Sequence, residues 1–411
     1  MPTAEAPPSN LSLIRLLDKE VLANPYPLYH RLQEEAPVYW DPFLHAWVVT
    51  RYDDVLTVLL KYSAKRTPTP EKLKEMGLPQ IAPLAQLMVR LMLFMDAPDH
   101  TRLRALASYA FMPARVAVLR QKIQSVAEGL VRKMEGRDRI DVIKEFADPL
   151  PAIVTASMLG VPEQDWSQLK TWSTSFAEML GNFQHNPERG GLMLETLENL
   201  TRYFTDALQE QKRRPTSGLV HDLMVAEVDG DRLSDDEIIA NSIVTMVGGQ
   251  ETTTNLIGNG MLALLRNPDQ MERLRQDPSL MPSAVEELLR YESPSQQTAR
   301  LAPEGAELGG KKIVKGTAVI AVMGAGNRDP RRFPDPDRLD LGRKDNRHLA
   351  FGWAAHFCFG APLARLEGQI AFETLLRHFS KISMESEPLE WRHNLGLRGL
   401  VTFPVRVERA A

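Results

Sequence analysis

Phe351-Gly352-Trp353-Ala354-Ala355-His356-Phe357-Cys358-Phe359-Gly360 runs directly into Ala361-Pro362-Leu363-Ala364-Arg365-Leu366-Glu367. The first stretch is a loop rich in glycine and aromatic residues. The second predicts an amphipathic helix with proline in its first turn. Cys358 is the chain's one cysteine. A thiol just ahead of a helix N-terminus has orphan amides and the positive end of the dipole nearby, and both favour its thiolate. A free cysteine is also commonly a buried structural residue. The loop alone leaves both readings open, but its glycines and aromatics suit something flat and apolar packed against it.

A single thiol excludes an internal disulfide framework, a four-cysteine zinc site and a four-cysteine iron–sulfur cluster, and it fits a reducing compartment. The 411 residues are 43% hydrophobic and 25% charged, enough for a sizeable core without covalent staples. Length alone suggests two or three domains, though one large fold is permitted. Lys and Arg total 49 against 53 Asp and Glu, a net charge of -4. No basic excess points to nucleic acid. The N-terminus lacks a basic start followed by an apolar core, and no uncharged run reaches the roughly 20 residues that span a bilayer. A cytoplasmic protein without a membrane partner is expected.

Upstream, Val38-Tyr39-Trp40 and Ala46-Trp47-Val48-Val49 flank Asp41-Pro42 as two short strands and a turn. From Tyr52 onward 3.6-residue periodicity dominates, punctuated by prolines. A second strand-rich patch runs from about Ala299 to Ile320. The expected class is mainly α with small β-sheets near both ends, a single domain over 1–411 with residues 1–23 as a flexible arm. The helix from Ser234 to Arg266 carries most information. Ser234 and Glu237 form a capping box, and Asn267-Pro268 marks the far end. About 32 residues at 1.5 Å each give a rod of roughly 48 Å. Its apolar middle predicts burial, yet Gly248-Gly249-Gln250-Glu251-Thr252-Thr253 sits at mid-span. Two interior glycines cost roughly 1 kcal/mol each, and a carboxylate on a buried rod costs more unless paired or watered. Either the helix kinks and exposes a solvated stripe, or its backbone opens to admit a ligand beside an acid and a hydroxyl.

The cysteine loop resembles the haem-thiolate signature of the cytochrome P450 family, with Phe351, His356, Cys358 and Gly360 at matching spacing. Ala354 stands where the family usually has glycine, which raises the question of a positive φ there. Glu287-Leu288-Leu289-Arg290 is similar to the family's Glu-x-x-Arg helix, and Arg338 matches the arginine completing its ion triad. Gly248 to Thr253 resembles the oxygen-activation motif, and His100 to Arg104 the helix whose His and Arg hold haem propionates. Arg300 and Asn327-Arg328-Asp329-Pro330 sit where relatives carry similar residues. The ordered set spans about Asn24 to the C-terminus.

The resemblance implies a P450-like fold with a long central helix over haem b, and Cys358 as the axial ligand that favours O–O cleavage. It implies His100, Arg104, Arg300 and His356 on the propionates, with Gly248, Gly249, Phe351 and Gly360 shaping the cofactor's surroundings. Thr252 would hydrogen-bond the oxygen being activated or an ordered water, and Glu251 would relay protons inward from solvent. The reaction expected is O2-dependent hydroxylation or epoxidation of a hydrophobic small molecule. No complete Gly-x-Gly-x-x-Gly occurs, so NAD(P)H would act only indirectly, through a reductase. A ferredoxin-type donor is implied, with Arg343, Lys344 and Arg347 as a docking patch for an acidic partner. Leu87, Met88, Leu91, Met92, Phe176, Met179, Leu180, Val244, Val247, Gln297 and Leu397 occupy the family's pocket positions. This apolar, methionine-rich set suits an adaptable cavity for a polyketide, terpenoid or fatty-acid-like substrate. Two other readings compete. A retired binding module recruiting a partner has no need of intact Cys358, Glu251 and Thr252. A cysteine hydrolase using His356 or His348 lacks a third orienting residue.

Overall fold

A computed structural model describes residues 9–77, 79–108, 111, 113–182, 190–228, 230–385 and 388–409. The chain is mainly helical, and its internal contacts gather into two compact units, each built from separated stretches. One comprises 1–66, 259–358 and 386–402; the other 67–258, 359–385 and 403–411.

The first unit contains a four-stranded sheet. Val38–Asp41 pairs antiparallel with Ala46–Val49, closed by the turn at Asp41-Pro42. Ala46–Val49 runs parallel to Ala318–Ala321, which pairs antiparallel with Thr298–Leu301. Successive side chains point to opposite, buried faces, one packing with Val38, Val49, Val55, Val319 and Leu349, the other with Tyr39, Val48, Leu32 and Leu13. Leu13 corrects the expected flexible arm. Residues 1–8 lie outside the described residues, but from Ser9 onward the chain is docked. Leu11, Leu13, Leu16 and Leu22 are buried, and the Asp41 carboxylate accepts from Ser12 Oγ (2.7 Å) and the Leu13 amide (2.9 Å).

In the same unit the helix Met281–Tyr291 buries Glu287 and Arg290 completely. Arg290 donates Nε and Nη2 to the two Glu287 oxygens, both at 2.8 Å, while Nη1 donates to the carbonyls of Asn327 and Pro336. The Glu287 carboxylate also accepts from the Asp340 amide (3.0 Å), Asn346 Nδ2 (3.1 Å) and Arg343 Nε (3.2 Å). Arg343, not Arg338, is therefore the second guanidinium. Arg338 is exposed and offers the cluster only its carbonyl. Nearby, Arg328 lies flat between the rings of Tyr26 and Tyr291, 4.0 and 3.7 Å from their centroids, and holds Asp337 at 2.6 Å. His30 Nε2 reaches the same carboxylate at 2.9 Å.

The second unit packs Ala361–His378 against Arg120–Arg132, which are joined by Gln124 to Thr374 and by Glu128 to Arg377 and His378. A three-stranded sheet of Phe379–Met384, Pro404–Arg409 and Arg139–Asp141 lies beside them in sequence. Its strands were not foreseen, because a run as short as Arg139–Asp141, with the single buried Ile140, carries too little alternation to be read. Asp235–Arg266 is one continuous helix, and the Ser234–Glu237 capping box forms as read, with Glu237 N donating to Ser234 Oγ (3.3 Å) and Ser234 N to Glu237 Oε2 (2.9 Å).

Two tests follow from the first unit's polar clusters. Arg343→Ala strips a charge from a buried carboxylate and is expected to lower unfolding free energy by about 3 kcal/mol. Arg338→Ala should stay within about 0.5 kcal/mol; urea titrations rank the two. Asp337 is held down to about 2, chiefly by its bond to His30, and His30 is raised chiefly by Asp337. Asp337's contribution is present above its unfolded value near 3.9 and is lost as pH falls toward 2. His30's is present below about 6.5 and is lost as pH rises through its raised value. The stability gap between the parent and Asp337→Asn should thus peak near pH 5 and narrow in both directions.

Candidate active site

The cysteine loop is fixed from within the first unit. Cys358 N donates to Phe351 O at 2.9 Å, Gly352 N to Leu349 O at 2.8 Å, and Phe357 N to Ala354 O at 3.0 Å. Phe351 is buried against His348 and Phe357, with centroids 5.8 and 6.1 Å away. Leu349 N in turn donates to Asn327 Oδ1 (2.6 Å), which couples the loop to the segment whose carbonyl Arg290 grips. Cys358 itself is half-buried, as is His356. Ala354 answers the question its presence raised: its φ is +56°, so the turn does use the left-handed region that glycine adopts freely. Arg300 is buried on Thr298–Leu301, its Nη1 donating to Thr298 Oγ1 and to Ala299 O, both at 2.9 Å.

The second unit holds the acid and the hydroxyl. The helix runs without a break through the glycines. An ideal Cβ on Gly249 would stand 2.9 Å from Thr155 Oγ1, so this residue lets the neighbouring helix Pro149–Leu159 approach. A Cβ on Gly248 would meet nothing within 4 Å, and that side of the rod is open. Thr252 Oγ1 donates to Gly248 O at 2.6 Å. Its hydrogen is engaged, so its oxygen is left to act as an acceptor. Glu251 is buried and faces no solvent stripe. Its Oε1 accepts from Lys170 Nζ and Thr174 Oγ1, both at 2.6 Å, and Lys170 also reaches Asp148 at 3.1 Å. Lys170, Thr174 and Asp148 were missed because nothing in their local spacing ties them to a residue roughly 80 to 100 positions away. His100 is buried on Asp99–Ser108, and Arg104, one turn on, lies 5.4 Å from the Phe359 ring.

The pocket residues sort by unit. Asn241, one turn before Val244 on the long helix, accepts from Met92 N (3.4 Å) and donates to Arg90 O (3.3 Å). That brings Leu91 and Met92 beside the helix face carrying Val244 and Gly248. Leu87, Leu91, Met92, Phe176 and Val247 are buried, while Met88 and Val244 are half-buried. The side chains of Met179 and Leu180 lie outside the described residues. Gln297 and Leu397 belong to the other unit and are half-buried, near the bridge of Ser295 to Leu397.

The family model for cytochrome P450 matches residues 44–404. The chain belongs to the cytochrome P450 family. It is 37% identical over 404 residues to the polyketide biosynthesis cytochrome P450 PksS of Bacillus subtilis (strain 168), covering 95% of this chain and 98% of that one. With the 6-deoxyerythronolide B hydroxylase of Saccharopolyspora erythraea it shares 35% over 396 residues, covering 93% and 96%. The crystal structure of P450BioI in complex with hexadec-9Z-enoic acid ligated acyl carrier protein matches with a TM-score of 0.89 and 35% identity, over 95% of this chain and 99% of that one. The P450 is thus an oxidoreductase of the monooxygenase class using haem b, O2 and reductase-supplied electrons. None of its described helices is long and apolar enough to cross a membrane.

The residues present fit a haem. Cys358 is half-buried rather than sealed in the core of its unit; within the other unit, the Gly248 side of the long helix is clear beside Thr252. The strained turn gives a direct test. Ala354 is exposed, so Ala354→Gly loses no packing while relieving a left-handed alanine. It should raise stability by about 1 kcal/mol and leave the thiolate Soret band of this P450 in place; a lower melting temperature would count against strain at 354.

Proposed function

We propose that this P450 hydroxylates or epoxidises a medium to large hydrophobic acyl-type molecule, polyketide-like or fatty-acid-like, with electrons from a separate ferredoxin-type donor. The observation that carries the oxygen chemistry is the buried Glu251 one residue before Thr252, whose oxygen is left as an acceptor next to the open side of Gly248. Haem b, when bound, supplies the oxidising power that inserts one atom of O2 into the substrate and releases the other as water.

The chain's own residues do the rest. Cys358 would hold the iron through its sulfur, while His100, Arg104, Arg300 and His356 supply charge-assisted bonds to the propionates. With its hydrogen committed to Gly248 O, Thr252 would steady a water or an oxygen-derived group that donates to it. Glu251 carries protons only by leaving Lys170 and Thr174. The Lys170 bridge to Glu251 and Asp148 therefore holds the acid in a waiting position. Leu91, Met92, Val244 and Val247 supply an apolar wall that can adapt to a long chain. The names of PksS and the P450BioI complex support an acyl or polyketide substrate.

The docking patch shrinks. Arg343 is engaged with Glu287, which leaves exposed Lys344 and Arg347 to meet an acidic donor. A single domain for 1–411 remains part of this reading.

Purified protein should be red-brown, and its reduced, carbon monoxide-bound form should show the strongly red-shifted Soret band of thiolate ligation. Cys358→Ala is expected to abolish that band. Thr252→Ala should retain it, yet divert most reducing equivalents to peroxide and cut product per O2 several-fold. Normal coupling in that variant would remove Thr252 from the scheme, and colourless protein that haem cannot reconstitute would remove the whole reading. Spin-state titration with fatty acids and macrolactones tests the substrate class.

A further inference from the structure

His348 lies just upstream of the cysteine loop with its ring buried, and no step of the oxygen chemistry uses it. Both of its ring nitrogens are nevertheless committed. Nδ1 stands 3.2 Å from the amide nitrogen of Ala350, and a backbone N–H can only donate. Nδ1 is therefore the unprotonated nitrogen. The ring proton sits on Nε2, which lies 3.2 Å from Glu286 Oε2 on the helix Met281–Tyr291. Glu286 thus selects the tautomer that presents the Nδ1 lone pair to Ala350. It is an orienting carboxylate that the sequence did not reveal, but with both nitrogens taken, His348 is no base for the sulfur. The buried amide of Ala350 belongs to the stretch that makes the cysteine's own contact. There Leu349 N is held by Asn327 Oδ1 (2.6 Å), Gly352 N by Leu349 O (2.8 Å), and Phe351 O receives Cys358 N (2.9 Å). A buried amide stripped of its acceptor is costly, so this backbone would re-seat to satisfy it. Holding Ala350 in place restricts the path that leads to the Phe351 carbonyl, and the imidazole also lies against the Phe351 ring, centroids 5.8 Å apart.

We propose that His348 is a positioning residue for the haem–sulfur centre: its Nδ1 holds the Ala350 amide, and through it the Phe351 carbonyl that seats Cys358. The proposal rests on the reading of Cys358 as the iron's ligand and deepens it. An outer partner that fixes the orientation of a ligating residue also tunes the metal's bond to it.

The test uses the haem-loaded protein and two substitutions that each keep half of the imidazole's bonding. The Gln amide nitrogen comes near the Nε2 position, so His348→Gln keeps a donor for Glu286 and loses the acceptor for Ala350. The Asn carbonyl oxygen comes near the Nδ1 position, so His348→Asn keeps the acceptor and loses the donor. One readout is the iron–sulfur stretching frequency of the ferric protein by resonance Raman. The other is the lifetime, in mild urea, of the thiolate Soret band of the reduced, carbon monoxide-bound form. His348→Gln should shift the frequency and shorten the lifetime by about ten- to a hundredfold, and His348→Asn should restore both to near the parent's. A histidine that only braces the fold would lower the urea midpoint in both variants and leave the iron–sulfur frequency unmoved. That result, or Gln and Asn variants that behave alike, overturns the proposal. Should His348→Gln hold no haem, His348→Asn decides: parental values support the acceptor role, and displaced values overturn it. A parent without the thiolate Soret band removes the reading of Cys358 and the proposal with it, and so is told apart from a failure confined to His348.

Discussion

A fully buried carboxylate organises the half of the molecule that presents the cysteine. Glu287 accepts from two guanidiniums, a side-chain amide and a backbone amide. Such a group is stable in a dry interior only when all of these partners are in place. That requirement fixes where the segment from Pro334 to Asn346 runs. Arg290, held by the same carboxylate, grips the carbonyl of Asn327, whose side chain receives the amide of Leu349. Two residues further, Phe351 O receives the amide of Cys358. The sulfur is thus held at the end of a short relay of hydrogen bonds that starts at an ion cluster. Apolar packing alone would leave such a loop several alternative seatings; directional bonds leave one.

The long helix solves the opposite problem. It carries an acid and a hydroxyl at mid-span, in an interior that penalises both. Lys170 neutralises Glu251 and Thr174 orients it, while Asp148 anchors the Lys170 ammonium, so the buried charge is tolerated. Thr252 satisfies its own hydroxyl on the carbonyl of Gly248, one turn back along the same helix. The two adjacent glycines divide their labour, Gly249 admitting a neighbouring helix and Gly248 leaving one side bare.

Much of this was legible because it is local. The capping box of Ser234 and Glu237, the proline stop at 268, the strand pair around Asp41-Pro42 and the Glu287–Arg290 spacing are all encoded within a few residues, and each formed as read. What failed was long-range. Arg338 and Arg343 are both arginines on an irregular segment, and only the folded path of that segment decides which turns inward. Lys170 is isolated in sequence, and its partner Glu251 comes from a helix far along the chain. The N-terminal error was different in kind. Leu11, Leu13 and Leu16 find their cover on elements far along the chain, and Asp41 receives the Ser12 hydroxyl.

The parallel pairing of Ala46–Val49 with Ala318–Ala321 joins residues about 270 apart. At ribosomal speeds of about 5–20 residues per second, the early strand emerges some 15–50 seconds before its partner exists. Until then Trp47, Val48 and Val49 have a bare edge and no lid, in a crowded cell where other nascent chains offer the same. Synthesis of this enzyme therefore leans on whatever shields sticky segments during translation, and a slower ribosome lengthens the exposure in proportion.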